Sequence, residues 1–99
     1  MYFAVFATDK PGQGALRARI RPLHRVYLRE HSHPVKVILG GPTLASETQE
    51  MNGTLMVIEA ETVEQVHAFL TDDPYMQVGL FGELTVRPWL WGIGAPREA

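Results

Sequence analysis

Two short segments far apart in the chain carry the residues best suited to proton transfer: Arg21-Pro22-Leu23-His24 and Asp72-Asp73-Pro74-Tyr75. Each sets a titratable side chain close to a proline, which restricts the local backbone. A histidine changes charge near neutral pH, and a carboxylate bonded to its ring fixes the tautomer and orientation. His24 and Asp73 are therefore the candidate pair for general acid–base chemistry, provided the fold brings them together. On a helical wheel His24 lies at the border of an apolar stripe, beside Arg17 and Arg21, which suits a ring held by packing with one edge on a cavity. The same position also suits a boundary histidine satisfied by water. An aspartate before proline is equally a turn former. Asp72-Asp73 at a helix C-terminus would sit against the helix dipole, a local conflict that argues for a role besides stability.

The elements that must position these residues follow from pattern. Tyr2 to Thr8 reads as a first strand, ended by Asp9-Lys10-Pro11-Gly12. From Gln13 to His31, Leu16, Ile20, Leu23 and Tyr27 recur at helical spacing, with Arg17, Arg21, Arg25 and Arg29 along another face. Pro22 removes one helical hydrogen bond, so a kink or break is expected there. Val35 to Gly40 forms strand two, stopped by Gly41-Pro42, and 43–52 reads as a polar loop. Thr54 to Glu59 is strand three. Thr62-Val63-Glu64-Gln65 has capping-box form and opens a second helix running to Thr71, with Pro74 helping to end it. Glu83 to Trp91 is strand four.

The order β-α-β-β-α-β is that of an α+β, ferredoxin-like fold: a four-stranded antiparallel sheet with two helices on one face. Strands one, three and four are apolar on both faces: Tyr2 and Phe6 against Phe3 and Val5, Leu55 and Val57 against Met56 and Ile58, Leu84, Val86 and Leu90 against Trp89 and Trp91. Two helices cover only one face, so the other calls for a second copy of the sheet in a two-fold dimer.

Composition bounds the function. Ninety-nine residues, 45% hydrophobic and 20% charged, make one domain with a core, and a net charge of −2 lacks the basic surplus that nucleic acid needs. With no cysteine there are no disulfides or thiolate nucleophiles. The apolar start at 1–7 is too short for a signal peptide or a membrane span, which predicts a cytoplasmic protein with no membrane partner.

Arg21-Pro22-Leu23-His24 with Tyr27-Leu28, then Gly40-Gly41-Pro42, Asp73-Pro74-Tyr75, Gly79-Leu80-Phe81 and Val86-Arg87-Pro88-Trp89 together resemble the YciI-like (YCII-related) family, in the family's order and across nearly the whole chain. The resemblance implies one YciI-like domain over 1–99, a dimeric α/β barrel, and a histidine–aspartate active-site pair at His24 and Asp73. One branch of that family is similar to a dehydrochlorinase acting on a chlorinated hydroxyquinol. Trp89, Trp91 and a loop through Ser46, Glu47 and Glu50 depart from some relatives and leave the substrate open.

Other groups are weighed against this pair. Arg17 and Arg21 are candidates to hold an anionic ligand beside His24, although a four-arginine row reads first as a solvated face. Gly41, Pro42, Tyr75 and Phe81 are the further candidate ligand-binding residues. Gly40-Gly41-Pro42 lacks the Lys-Ser/Thr of a phosphate loop. His31-Ser32-His33 has ligand-type alternation but no evident third ligand, and His67 reads as surface. No flavin, nicotinamide or metal motif appears, so the expected chemistry is cofactor-free elimination, dehydrochlorination or isomerisation of a small oxygenated molecule. Two other readings stay open: a module that binds a small ligand without turnover, and a structural protein whose barrel is filled by side chains.

Overall fold

The computed structural model describes residues 1–96. The elements run β1 (Tyr2–Asp9), α1 (Gly14–Arg29), β2 (Lys36–Leu44), β3 (Met51–Glu59), α2 (Val63–Thr71), α3 (Pro74–Gln77) and β4 (Phe81–Trp89). The strands form one antiparallel sheet in the order β2-β3-β1-β4, the ferredoxin-like arrangement expected from the β-α-β-β-α-β pattern.

One face of the sheet is dry. Phe3 and Val5 of β1, Met56 and Ile58 of β3, and Val66, Phe69 and Leu70 of α2 form the buried cluster, with Leu84 and Val86 of β4 packed on it. Alternation sends Ala4, Phe6, Leu55 and Val57 to the opposite face. There the central strands are apolar, and Phe6 is 53% exposed. On β4, however, that face carries Glu83, Thr85 and Arg87. The two-sided apolarity expected of strand four is thus confined to its end, where Trp89 pairs with Tyr2 on this face. Leu90, expected on the inner face, lies past the strand and is 87% exposed. Trp89 and Trp91 pack edge-on with centroids 4.5 Å apart, and Trp91 meets Tyr2 at 5.8 Å.

Several local expectations are corrected. β2 does not stop at Gly41-Pro42 but continues to Leu44. As an edge strand it tolerates a residue without an N–H, because one of its flanks has no ladder to donate to. The polar stretch 43–52 therefore contracts to a tight β2–β3 connection. At its far end Gly53 is required, since a Cβ there would stand 2.4 Å from the Ala7 carbonyl oxygen and 2.6 Å from Thr43 Oγ1. α1 runs continuously through Pro22, whose missing N–H removes only the bond to the Ala18 carbonyl.

α1 also turns a different face inward. Leu23 is 60% exposed and Leu16 and Ile20 are only half-buried, whereas the buried positions are Arg17 and His24. Only Tyr27 and Leu28 from α1 reach the apolar cluster. Hydrophobicity alone points the helix wrongly; polar partners beneath it decide the rotation.

Candidate active site

Asp73, expected at the end of a helix, stands at the start of one. The chain does not simply stop after α2 but begins the short helix α3 with Pro74 in its first turn, and Asp73 is the N-cap. A carboxylate is favourable at a helix N-terminus, where its oxygen accepts an otherwise orphaned N–H. Asp73 Oδ1 accepts from the Tyr75 N–H at 2.9 Å. The expected conflict with a helix dipole thus applies to Asp72, which caps the C-terminus of α2 and is exposed. Gly79, at φ +69°, then reverses the chain toward β4, with its N–H donating to the Met76 carbonyl.

The fold brings the two separated segments into contact. His24 Nδ1 lies 2.9 Å from Asp73 Oδ1 and 3.0 Å from Oδ2, and Asp73 is fully buried. The imidazole stacks on the Tyr75 ring, centroids 4.0 Å apart and planes 18° apart. A carboxylate only accepts hydrogen bonds, so Nδ1 donates to it, and in the neutral ring Nε2 then presents a lone pair. No described residue bonds Nε2, and His24 lines an open cavity.

Arg17 is the second anchor, and its expected solvated position is also corrected: it is 3% exposed. Its guanidinium forks onto Asp9 at 2.6 and 3.0 Å, donates to Thr54 Oγ1 at 2.8 Å, and reaches the Tyr75 hydroxyl oxygen at 3.4 Å. Such bidentate, charge-assisted bonding is what allows a buried arginine. The guanidinium carbon lies 4.6 Å from the Tyr75 ring centroid, so Tyr75 is held by both Arg17 and His24. Burial pushes the Tyr75 hydroxyl pKa up, against the opposing pull of Arg17 and Arg21, which keeps it a phenol at neutral pH.

The cavity measures about 340 Å³ and lies between α1 and β2. Arg17, Arg21, His24, Arg25, Leu28 and Arg29 line its α1 side; Val37, Leu39, Gly40, Gly41 and Pro42 line its β2 side, and Tyr75 completes it. Its size falls at the low end of small-molecule pockets. A larger cavity of about 640 Å³, bordered by Gln49, Glu50 and Met51, touches the same Arg17 and Arg21 but contains no histidine. The smaller one holds the chemistry.

Of the residues singled out from sequence, Arg17, Arg21, His24, Gly41, Pro42 and Tyr75 border this cavity, with Asp73 buried behind His24. Phe81 does not line it but packs edge-on behind Tyr75 at 5.8 Å. Trp89 and Trp91 lie elsewhere, against Tyr2. His33 Nε2 meets Asp72 Oδ2 at 2.7 Å, while His31 packs on Phe69, where burial pushes its pKa down. Asp9 and Thr54 beneath Arg17, and Arg25 and Arg29 along the cavity, are neighbours of the site that the sequence does not single out. The arginine spacing is plain in the sequence, but nothing local marks Asp9 or Thr54 as partners of a helix residue.

An antiparallel sheet with its helices on one face, and a carboxylate-held histidine opening on a small basic cleft, define a ferredoxin-like α+β protein with a pocket sized for a small molecule. The chain belongs to the YCII-related domain family, whose model matches residues 1–90. Protein YciI of Escherichia coli O6:H1 is 24% identical over 94 residues, covering 90% of this chain and 96% of that protein. An uncharacterized Haemophilus influenzae protein is 22% identical with the same coverage. Among solved structures, the 5-chloro-2-hydroxyhydroquinone dehydrochlorinase TftG of Burkholderia phenoliruptrix, in complex with 2,5-dihydroxybenzoquinone, is similar at a TM-score of 0.83 and 32% identity, over 93% of this chain and 96% of TftG. The Arabidopsis thaliana protein At3g17210, at TM-score 0.53 and 12% identity, shares the fold alone.

Proposed function

We propose that the protein is a lyase-type enzyme that eliminates a proton and an anionic leaving group from a small oxygenated ring compound, with His24 as the proton-transfer group. The observation that carries this reading is the clamp on the imidazole: Nδ1 bonded to both Asp73 oxygens, the ring stacked on Tyr75, and Nε2 open to the cavity. The similarity to a dehydrochlorinase at 32% identity supports the reaction class.

In this mechanism the substrate reacts as its keto tautomer, in which a hydroxyl proton has moved to the ring carbon bearing the leaving group X and made it tetrahedral. Neutral His24 then takes a proton through Nε2 from a remaining ring hydroxyl, or from a carbon next to the carbonyl. The electron pair of the broken O–H or C–H bond becomes a new π bond, and the leaving group departs with the pair of its own bond. The net loss is H⁺ and X⁻. Asp73 takes no proton; its charge steadies the imidazolium and fixes the ring. Arg21 lines the cavity, where it stabilises negative charge on the substrate oxygen, and the buried Tyr75 ring backs the imidazole. The imidazolium then loses its proton to water. The same proposal includes a two-fold dimer formed through the open sheet face, for which exposed Phe6 and the apolar central strands argue.

The test is halide release from a series of halogenated hydroquinols, followed together with the absorbance of the quinone product. His24→Ala should lower turnover by roughly 10²–10⁴-fold, the usual contribution of general acid–base catalysis, while ligand binding persists. Turnover indifferent to this substitution would overturn the assignment. Binding without turnover in the wild type would replace it with a ligand-binding module.

A further inference from the structure

The arginine row has a feature that the proton-transfer scheme does not use. Arg17, Arg21, Arg25 and Arg29 all line the cavity, at successive intervals of four along α1, and no aspartate or glutamate lines it with them. Arg17 is neutralised by Asp9. The other ion pairs among the described residues join His24 to Asp73 and His33 to Asp72, so Arg21, Arg25 and Arg29 have no carboxylate partner. Like charges four residues apart on a helix repel, and only Arg29 lies in the last turn, where the helix dipole favours a cation. The row therefore works against the stability of α1 and, among the described residues, has no compensating carboxylate beyond the Asp9 that pairs with Arg17.

From this charge imbalance we infer that the substrate carries a second, permanently anionic substituent, a carboxylate or a phosphate ester, held by Arg25 and Arg29 while its reacting oxygen lies between His24 and Arg21. Four residues advance a helix by about 6 Å. That spacing matches a six-membered ring with substituents on opposite sides, so a compound with its reactive hydroxyl near His24 places a para substituent one arginine further along. Planar guanidinium groups bind either oxyanion through paired N–H donors. Leu28 and Val37 line the cavity as well and offer an apolar surface to the ring. The assignment deepens the elimination reading and rests on it only for which end of the ligand reacts.

Binding, not turnover, tests it. Titration calorimetry compares hydroquinone, 4-hydroxybenzoate and 4-hydroxyphenyl phosphate, at low and at high ionic strength. At least one of the two anions should bind about tenfold or more tightly than hydroquinone at low salt, a preference that shrinks as salt rises. Whichever anion gains more identifies the substituent as an acid or a phosphate ester. The preference should vanish in Arg25→Gln/Arg29→Gln and largely survive in Arg25→Lys/Arg29→Lys; both residues are exposed, so the thermal midpoint should hold. Equal affinity for all three compounds, no binding of either anion, or a preference kept by the glutamine variant would overturn the inference. A preference retained by His24→Ala, with no turnover of any substrate by the wild type, would instead remove the elimination reading and leave the anion subsite standing.

Discussion

Two helices lie on the same face of the sheet, and what they bury is opposite in character. α2 buries Val66, Phe69 and Leu70; α1 buries Arg17 and His24. Under α2 the packing is apolar and continuous with β1 and β3, so its contribution is area removed from water. Under α1 each buried polar group has a partner of its own: Asp9 and Thr54 for Arg17, Asp73 for His24. Ion pairs of this kind roughly offset their desolvation and contribute little net stability. They do fix position. The comparison teaches that α2 and its strands hold the domain together, which leaves α1 free to spend its inward face on orientation and to keep a cavity open beside β2.

The sharpest way to break the comparison is to attack each half and look for the wrong consequence. Phe69→Ala should cost about 3–5 kcal/mol, the usual range for removing a buried phenylalanine, read as a lowered urea midpoint. Its effect on ligand affinity measured well below the melting point should be small. A large affinity loss with little destabilisation would mean the halves are not separate.

Asp73→Asn probes the other half. The amide oxygen can still cap α3, so the melting temperature should change little. The side chain no longer holds the imidazole by charge, and it can present an N–H to Nδ1, which favours the wrong tautomer. Turnover should fall roughly tenfold or more, within the range that general acid–base catalysis supplies. Unchanged turnover would reduce Asp73 to a helix cap.

The open sheet face is a third region, and the dimer proposal depends on it. Sedimentation of the wild type should show a dimer at micromolar concentration, burying more than about 1,000 Å² in total if the contact is specific. Phe6→Asp should shift it toward monomer. A wild type that sediments as a monomer would leave the apolar strip on β1 and β3 unexplained by self-association.

The smallest effect lies at the boundary between the halves, where Tyr27 of α1 donates to the Phe69 carbonyl of α2. Burial, reinforced by Asp72 and Asp73, pushes its pKa up to about 12. The unfolded chain ionises its tyrosines near 10. Between about pH 10 and 12 the folded state therefore holds a proton that the unfolded state has lost, and stability falls as pH rises through that window. Below about 10 the contribution is complete. Chemical denaturation at stepped alkaline pH should show this slope flattened in Tyr27→Phe, with the remainder assigned to Tyr75, whose pKa is also raised.

Much of the fold was legible because the signals are local. The aromatic and branched runs of β1 and β3 and the Thr62–Gln65 capping box each determine an element without reference to anything distant. Where the reading failed, a long-range term outweighed a local one. Gly41-Pro42 looked like a stop, yet an edge strand has no second ladder for proline to disrupt. Leu16, Ile20 and Leu23 looked like the inward stripe of α1, yet Asp9, Thr54 and Asp73 sit where only an arginine and a histidine can satisfy them.

The sequence by itself determined the four strands, the two long helices and the residue types able to move a proton, since periodicity and chemistry are properties of neighbours in the chain. It also displayed the spacing of the four arginines. Only the tertiary structure decided that His24 and Asp73 touch, that Asp73 begins a helix rather than ending one, and that the arginine row faces a cavity with no carboxylate in its lining. The physical reason is the same in each case. Which polar group is desolvated, and which partner meets it, depends on elements dozens of residues apart, and no local pattern records that distance.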